Sequence, residues 1–269
     1  VKALFIEANV DIGPALVDRL RSAMETEASP IGKNVLAKII ANDEYAKREK
    51  IAICQDTGVS VVFIDIGQDV HFEGGDFNEA IHEGVRQAYK EGYLRKSVVS
   101  DPLFDRKNTQ DNTPAIIHVR IIPGDEVSIK VMPKGFGSEN MSTLKLFAPS
   151  VGIEGVKRFI IETIEKAGPN ACPPMIVGVG IGGTFEQAAL IAKRAVLRGP
   201  DHPNLDTRYF ELEKELLNQA NRLGIGPAGM GGSTTVLAIN IEQHPTHIAS
   251  IPVAINISCH ASRHAEGVL

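Results

Sequence analysis

The feature that most limits what this chain can become is the interleaving of two hydrophobic periods. A run rich in β-branched residues, VSVVFIDIG (59–67), is followed by FNEAIHEGVRQAYKEGYLR, whose apolar positions recur at helical spacing. Next comes TPAIIHVRIIPGDEVSIKVMPKG, two more strand-like runs on either side of PGDE, a pattern that predicts a hairpin. Strand–helix–strand order asks for a crossover and parallel pairing, whereas a hairpin asks for antiparallel pairing. A chain carrying both signals is neither a regular doubly wound sheet nor an all-helical bundle.

The rest of the sequence keeps this mixture. DIGPALVDRLRSAMETEAS and SPIGKNVLAKIIANDEYAKREK read as helices, the second opened by serine and proline. From Pro149 onward GIEGVKRFIIETIEKAG is helical and MIVGVGIGG is a short buried strand running into glycines. TFEQAALIAKRAVL and NLDTRYFELEKELLNQANRLG are helical again, and ELEKE within the latter reads as a solvated face. Two further strands flank a histidine-bearing loop in IGPAGMGGSTTVLAINIEQHPTHIASIPVAINISCHAS. The expected class is α+β, mixed helices and short sheets, with residues 1–269 as one domain and a subdivision near residue 149.

Charge and composition exclude several functions. The chain has 28 Lys and Arg against 33 Asp and Glu, so it lacks the basic surplus of a general nucleic-acid binder. Tryptophan is absent and aromatic residues are 5%, too few for a base-stacking surface. No apolar run is long enough for a membrane helix, and VKALFIEANVDI shows no signal-peptide pattern, which leads to the expectation of a cytoplasmic protein.

Three glycine-rich turns stand out: KGFGSEN, GVGIGGTFE and GPAGMGGSTT. GVGIGG follows a strand, but the next helix leads to LRGPDHPNLD with no strand end carrying the acid that a dinucleotide fingerprint requires. Such glycines either let backbones approach closely or form N–H nests for carboxylates or cluster sulfides.

Cys54, Cys172 and Cys259 are too far apart in sequence for a zinc finger or a ferredoxin loop. An odd count also argues against a complete set of internal disulfides. Each sits where an apolar segment meets a polar or proline-marked turn. Spacing alone leaves a metal centre and buried thiols equally open.

The motifs ICQDTG, LRKS, NTQDNTPAIIH, KGFGSENMS, CPPMIVGVGIGGTFE, GIGPAGMGGSTT and HPTHIASIPVAINISCHASRHA go further. Together they resemble the α subunit of the iron–sulfur (class I) fumarate hydratases, a family shared with the L(+)-tartrate dehydratase α subunit. The resemblance runs from about residue 10 to about residue 266. It implies an iron–sulfur fumarase N-terminal-type domain that holds a [4Fe-4S] cluster with one iron open to substrate, ligated by Cys54, Cys172 and Cys259. It also implies substrate binding by Gln55, a carboxylate clamp at Arg95, and a substrate contact from the backbone of Gly137 or else Gly135. Asp56 and His247 become the proton-transfer groups, with acid and base between them left open.

The implied activity is a hydro-lyase interconverting fumarate and (S)-malate, with L(+)-tartrate dehydration as the alternative. A β subunit is expected as partner, with a homodimer of this chain inside an α2β2 assembly, a small dicarboxylate substrate and no nucleic acid or membrane. Two rivals keep the cysteines: a zinc hydrolase, which His244, His260 and His264 clustered at one loop would support, and a non-catalytic assembly subunit. Asp56 before Thr57 and Gly58 also satisfies a simple Asx turn, and Arg95 a helix-end charge partner.

Overall fold

The computed structural model describes residues 1–199 and 202–269. Among them the chain runs α1 (Lys2–Val10), α2 (Pro14–Thr26), α3 (Pro30–Glu49), β1 (Val59–Gly67), α4 (Phe77–Glu91), β2 (Ile116–Ile122), β3 (Val127–Lys134), α5 (Phe136–Glu139) and β4 (Thr143–Phe147). It continues through α6 (Gly152–Ala167), β5 (Met175–Gly183), α7 (Phe185–Val196), α8 (Thr207–Asn221), β6 (Val236–Thr246), β7 (Ile251–Ser258) and β8 (Ala265–Val268). The class is α+β. No helix among the described residues is long and apolar enough to cross a membrane.

Two compact units share the chain discontinuously. The first comprises Val1–Ile12, Asn42–Phe136 and Arg263–Leu269; the second comprises Gly13–Ala41 and Gly137–Ser262. Residue 149 lies inside the second.

In the first unit the strand order is β2-β1-β3-β8, with β1 parallel to β2 and antiparallel to β3. The PGDE hairpin expected from sequence does not form, because β1 lies between its two strands. The reason is burial. Nearly every residue of β1 is buried, whereas β2, which carries His118 and Arg120, is half exposed and takes the edge. The PGDE connection crosses the end of β1 and accepts amides there, Gly67 N to Glu126 O at 2.8 Å and, just beyond the strand, Asp69 N to Gly124 O at 3.0 Å. A Cβ on Gly67 would stand 2.3 Å from Gly124 O, so only glycine allows the crossing. Phe5 and Ala8 of α1 and Ile81, Val85 and Ala88 of α4 pack on Val62, Ile64, Ile129 and Val131.

The second unit has strand order β4-β7-β5-β6, with β5 parallel to β6 and antiparallel to β7. Val156, Ile160 and Ile164 of α6 and Leu216 and Ala220 of α8 pack on Val177, Val179, Ile239, Ile255 and Ile257. Helix α7 lies against the strand backbone itself. Cβ atoms on Gly178 and Gly180 would stand 2.1 Å from Ala192 O and Ala188 O. The glycines of GVGIGG are therefore the close-approach kind.

Candidate active site

The ICQDTG segment belongs to the first unit and is anchored on both sides. Ile53 N donates to Asn9 O (2.9 Å), and Asn42 Nδ2 donates to Ile53 O (3.0 Å). The Cys54 thiol then faces Gln55 Oε1 at 3.3 Å. Asp56 Oδ1 accepts from Gly58 N (3.0 Å), which is the Asx turn the sequence allows. Its other oxygen, Oδ2, accepts from Phe136 N at 2.9 Å, and a turn alone does not require that second bond. Two amides from separate segments thus fix the plane of the Asp56 carboxylate.

The loop is clamped from beneath. Tyr89 Oη lies 2.8 Å from Thr57 O and 2.9 Å from Gly58 O, and burial pushes this phenol up to about 12. Asn112 Nδ2 donates to Gly58 O (3.2 Å), while its Oδ1 accepts from Ser97 N (2.7 Å). Thr57 Oγ1 donates to Arg95 O (2.9 Å), so the loop holds the backbone of Arg95 while its side chain stays exposed. The helix-end role does not apply, because α4 ends at Glu91.

Two buried cations adjoin this loop. Lys134 is 2% exposed, and Arg263, 3% exposed, donates through Nη1 to Asn9 Oδ1 at 3.2 Å. A Cβ on Gly135 would meet Asp56 Oδ2 at 3.3 Å and Arg263 Nη2 at 3.5 Å. Gly135 is therefore the glycine of KGFGS that faces the acid. Gly137 belongs to the second unit, where its Cβ direction meets only Asn170 O at 3.9 Å. Sequence reading missed Tyr89, Asn112, Lys134 and Arg263 as parts of the site. The signal was nonetheless present, since KGFGS, CHASRHA and NTQDNTPAIIH contain three of them.

The second unit carries the other two cysteines. Cys172 has a left-handed backbone (φ 52°) after a 3-10 turn, and its carbonyl accepts from His260 N at 3.3 Å. Cys259 directly follows β7, whose Ser258 pairs with Ile176 near the start of β5. The two cysteine-bearing segments therefore lie side by side. Pro173 O accepts from Ala228 N (2.8 Å), which ties the GPAGMGG loop to the same place. All three cysteines are thiols outside any disulfide; Cys172 is exposed, and Cys54 and Cys259 are partly so. No group of three His, Cys, Asp or Glu side chains poised for a metal ion occurs among the described residues.

His247 is elsewhere in this unit. It precedes β7 and shares a cavity of about 410 Å³ with Gly183, Thr184, Gln187, His244 and Thr246, at the far end of β5. At about 3.3 Å per residue along β7, it stands roughly 25 Å from Cys259. His244 accompanies it, while His260 adjoins Cys172 and His264 belongs to the first unit. Within the second unit His244 and His260 therefore stand at opposite ends of the strands rather than at one loop.

The GPAGMGGSTT loop does form a carboxylate nest, and the protein fills it. Glu27 Oε1 accepts from Ser29 N and Ser233 N, both at 2.8 Å, and a Cβ on Gly232 would stand 2.5 Å from that oxygen. Burial alone pushes the Glu27 carboxyl up, but donors from Ser29, Ser233 and Thr234 outweigh it and hold it below its ordinary value. ELEKE is only partly a solvated face. Glu213 is 7% exposed, pairs with Arg198 and accepts from Ile241 N at 2.6 Å.

A model of the fumarate hydratase (Fumerase) family matches residues 1–268. A Methanocaldococcus jannaschii protein, provisionally named L(+)-tartrate dehydratase subunit alpha, is 43% identical over 98% of this chain and 94% of its own. The L(+)-tartrate dehydratase subunits alpha of Escherichia coli strain K12 and Shigella sonnei are each 35% identical, over 92% of this chain and 82% of theirs.

Proposed function

This chain belongs to the fumarate hydratase (Fumerase) family, and we propose that it is the α subunit of a cytoplasmic [4Fe-4S] hydro-lyase acting on a small dicarboxylate. The observation that carries the reading is the Asp56 carboxylate, fixed by two amides beside Cys54 and faced by Gly135. We favour L(+)-tartrate as substrate because the similar relatives bear that name. Fumarate with (S)-malate is the second reading, supported by the family description.

The donor set suits an iron–sulfur cluster. Soft thiolates select iron–sulfur or zinc, and Cys172 and Cys259 already adjoin. We assign them as ligands together with Cys54. Bound there, the cluster supplies a Lewis-acidic iron. The rest of the work falls to side chains. Arg95 offers a planar fork to one substrate carboxylate, and Gln55 orients the substrate beside Cys54. Asp56, unable to swing away from its amides, gives the proton that lets the hydroxyl leave as water and, in the reverse direction, takes it from the water that enters. The carbon-side base is assigned to a β subunit. His247, at the opposite end of β7, serves such a site only as a residue contributed by another chain of the α2β2 assembly.

Anaerobic co-expression with the β subunit, followed by metal analysis and turnover of tartrate and malate, tests this reading. About four irons per α chain are expected. Asp56→Asn should lower turnover by about 10²–10⁴-fold with the cluster retained. Zinc at one per chain with no iron uptake would overturn the proposal.

A further inference from the structure

We propose that strand β2 is a twofold docking edge, on which a second copy of this chain pairs antiparallel about Val119. The inference deepens the homodimer within the function proposed above, and it rests on the first unit alone.

The two edges of matching rank are treated differently. In the second unit the edge strand β6 is sealed by side chains. Arg19 Nε donates to Leu237 O (3.2 Å), Asn204 Nδ2 to Ile241 O (2.7 Å), and Asn221 Oδ1 accepts from Val236 N (2.9 Å). Strand β2 is the corresponding edge of the first sheet. Among the described residues no side chain seals it at Val119 or Ile121, which are 49% and 63% exposed. An unsealed, apolar edge is a template for another strand.

The sequence of β2 says which strand. IIHVRII reads nearly the same in both directions about Val119. Antiparallel pairing about that residue sets Val119 against Val119, Ile117 against Ile121 and Ile116 against Ile122. Ile117, Val119 and Ile121 lie on one face, in register with the buried Val62, Ile64 and Ile66 of β1. The pairing therefore extends an existing apolar row across the axis.

On the other face His118 meets Arg120. That cation is already neutralised within its own copy, by Asp65 at 2.9 and 2.6 Å, and the His118 ring stacks on Phe63 at 5.0 Å. No like-charge clash opposes the pairing. Moving the centre by one residue to His118 sets Arg120 against Ile116 and loses the match.

The test uses the full chain, alone and with its β subunit, under anaerobic conditions. Sedimentation should show a dimer, and Val119→Lys should raise its dissociation constant by at least about tenfold, since two lysines then face each other on the axis. Val119→Cys should form a disulfide-linked dimer on mild oxidation, because the residue opposes itself. Ile116→Cys should cross-link no more than the wild type, because it faces Ile122.

Monomeric wild-type chain, an unchanged Val119→Lys dimer, or equal cross-linking by the two cysteine variants would each overturn the proposal. So would loss of the β subunit, rather than of the dimer, in Val119→Lys. If the lysine variant fails to fold, the cysteine pair decides. These readouts are mass and cross-linking, so they stand or fall separately from the hydro-lyase reading.

Discussion

The two units use one sheet plan and finish it with different chemistry. Each has a central strand, a parallel neighbour reached through a helical crossover, and two antiparallel strands on the other side: β2-β1-β3-β8 in one, β6-β5-β7-β4 in the other. In the first, the central strand is built of β-branched residues, and its helices rest on side chains. In the second, it is half glycine, and α7 rests on its backbone. Each unit also buries a carboxylate, Asp43 in the first and Glu27 in the second, and these two are treated oppositely. Glu27 is wrapped in amides. Asp43 on α3, 4% exposed, is pushed up to about 7 by burial, with Asn42 opposing in part and the Asp11 and Glu44 carboxylates adding to the rise. The same topology thus tolerates quite different local solutions, an amide cradle around Glu27 and a carboxyl held towards its protonated form at Asp43.

The sharpest way to break the comparison is at the central strands. Gly180→Val should cost about 3 kcal/mol or more and can prevent folding, because the new side chain lands on Ala188 O. Its structural counterpart Ile64→Val should cost only about 1 kcal/mol, and urea unfolding compares the two.

Next comes the amide nest. Glu27→Ala leaves the Ser29 and Ser233 amides unpaired and should cost about 2 kcal/mol at neutral pH. Because the folded Glu27 binds its proton more weakly than the unfolded chain, its contribution is present above the ordinary carboxylate range. It is lost as pH falls through the lowered folded value.

Asp43 carries the opposite sign. The folded state binds its proton more tightly, so stability declines as pH rises from the ordinary carboxylate range to about 7. Asp43→Asn should flatten that decline, with a gain on the order of 2 kcal/mol at pH 8 and little change near pH 4, read from melts across pH.

The smallest contrast lies at the edges. Asn221→Ala removes the acceptor of Thr235 N and Val236 N and should cost about 1–2 kcal/mol. Val119→Thr, on the unsealed edge, should change the stability of the isolated subunit by less than about 0.5 kcal/mol.

Much of this molecule is legible before folding. The boundaries of β1 and β5 coincide with the runs VSVVFIDIG and MIVGVGIGG, and the long helices follow their apolar spacing. The short strands β4 and β8 were not legible, since four or five residues carry too little period to register. In the candidate site, Cys54 and Asp56 announce themselves through an unusual local string. Tyr89 does not, because it acts through contacts with a distant segment.

By itself, then, the sequence determined where the longer strands and helices lie, the family, and which side chains offer soft donors or a carboxylate beside them. These are local properties, written in period and residue type. The tertiary structure alone decided that β1 separates β2 from β3 and that Cys172 adjoins Cys259. It also decided that His247 stands at the other end of the same strands and that Glu27 fills the glycine nest. Those outcomes depend on which strand the packing buries centrally and on how far a strand carries its two ends apart. Neither is written at any one position of the chain.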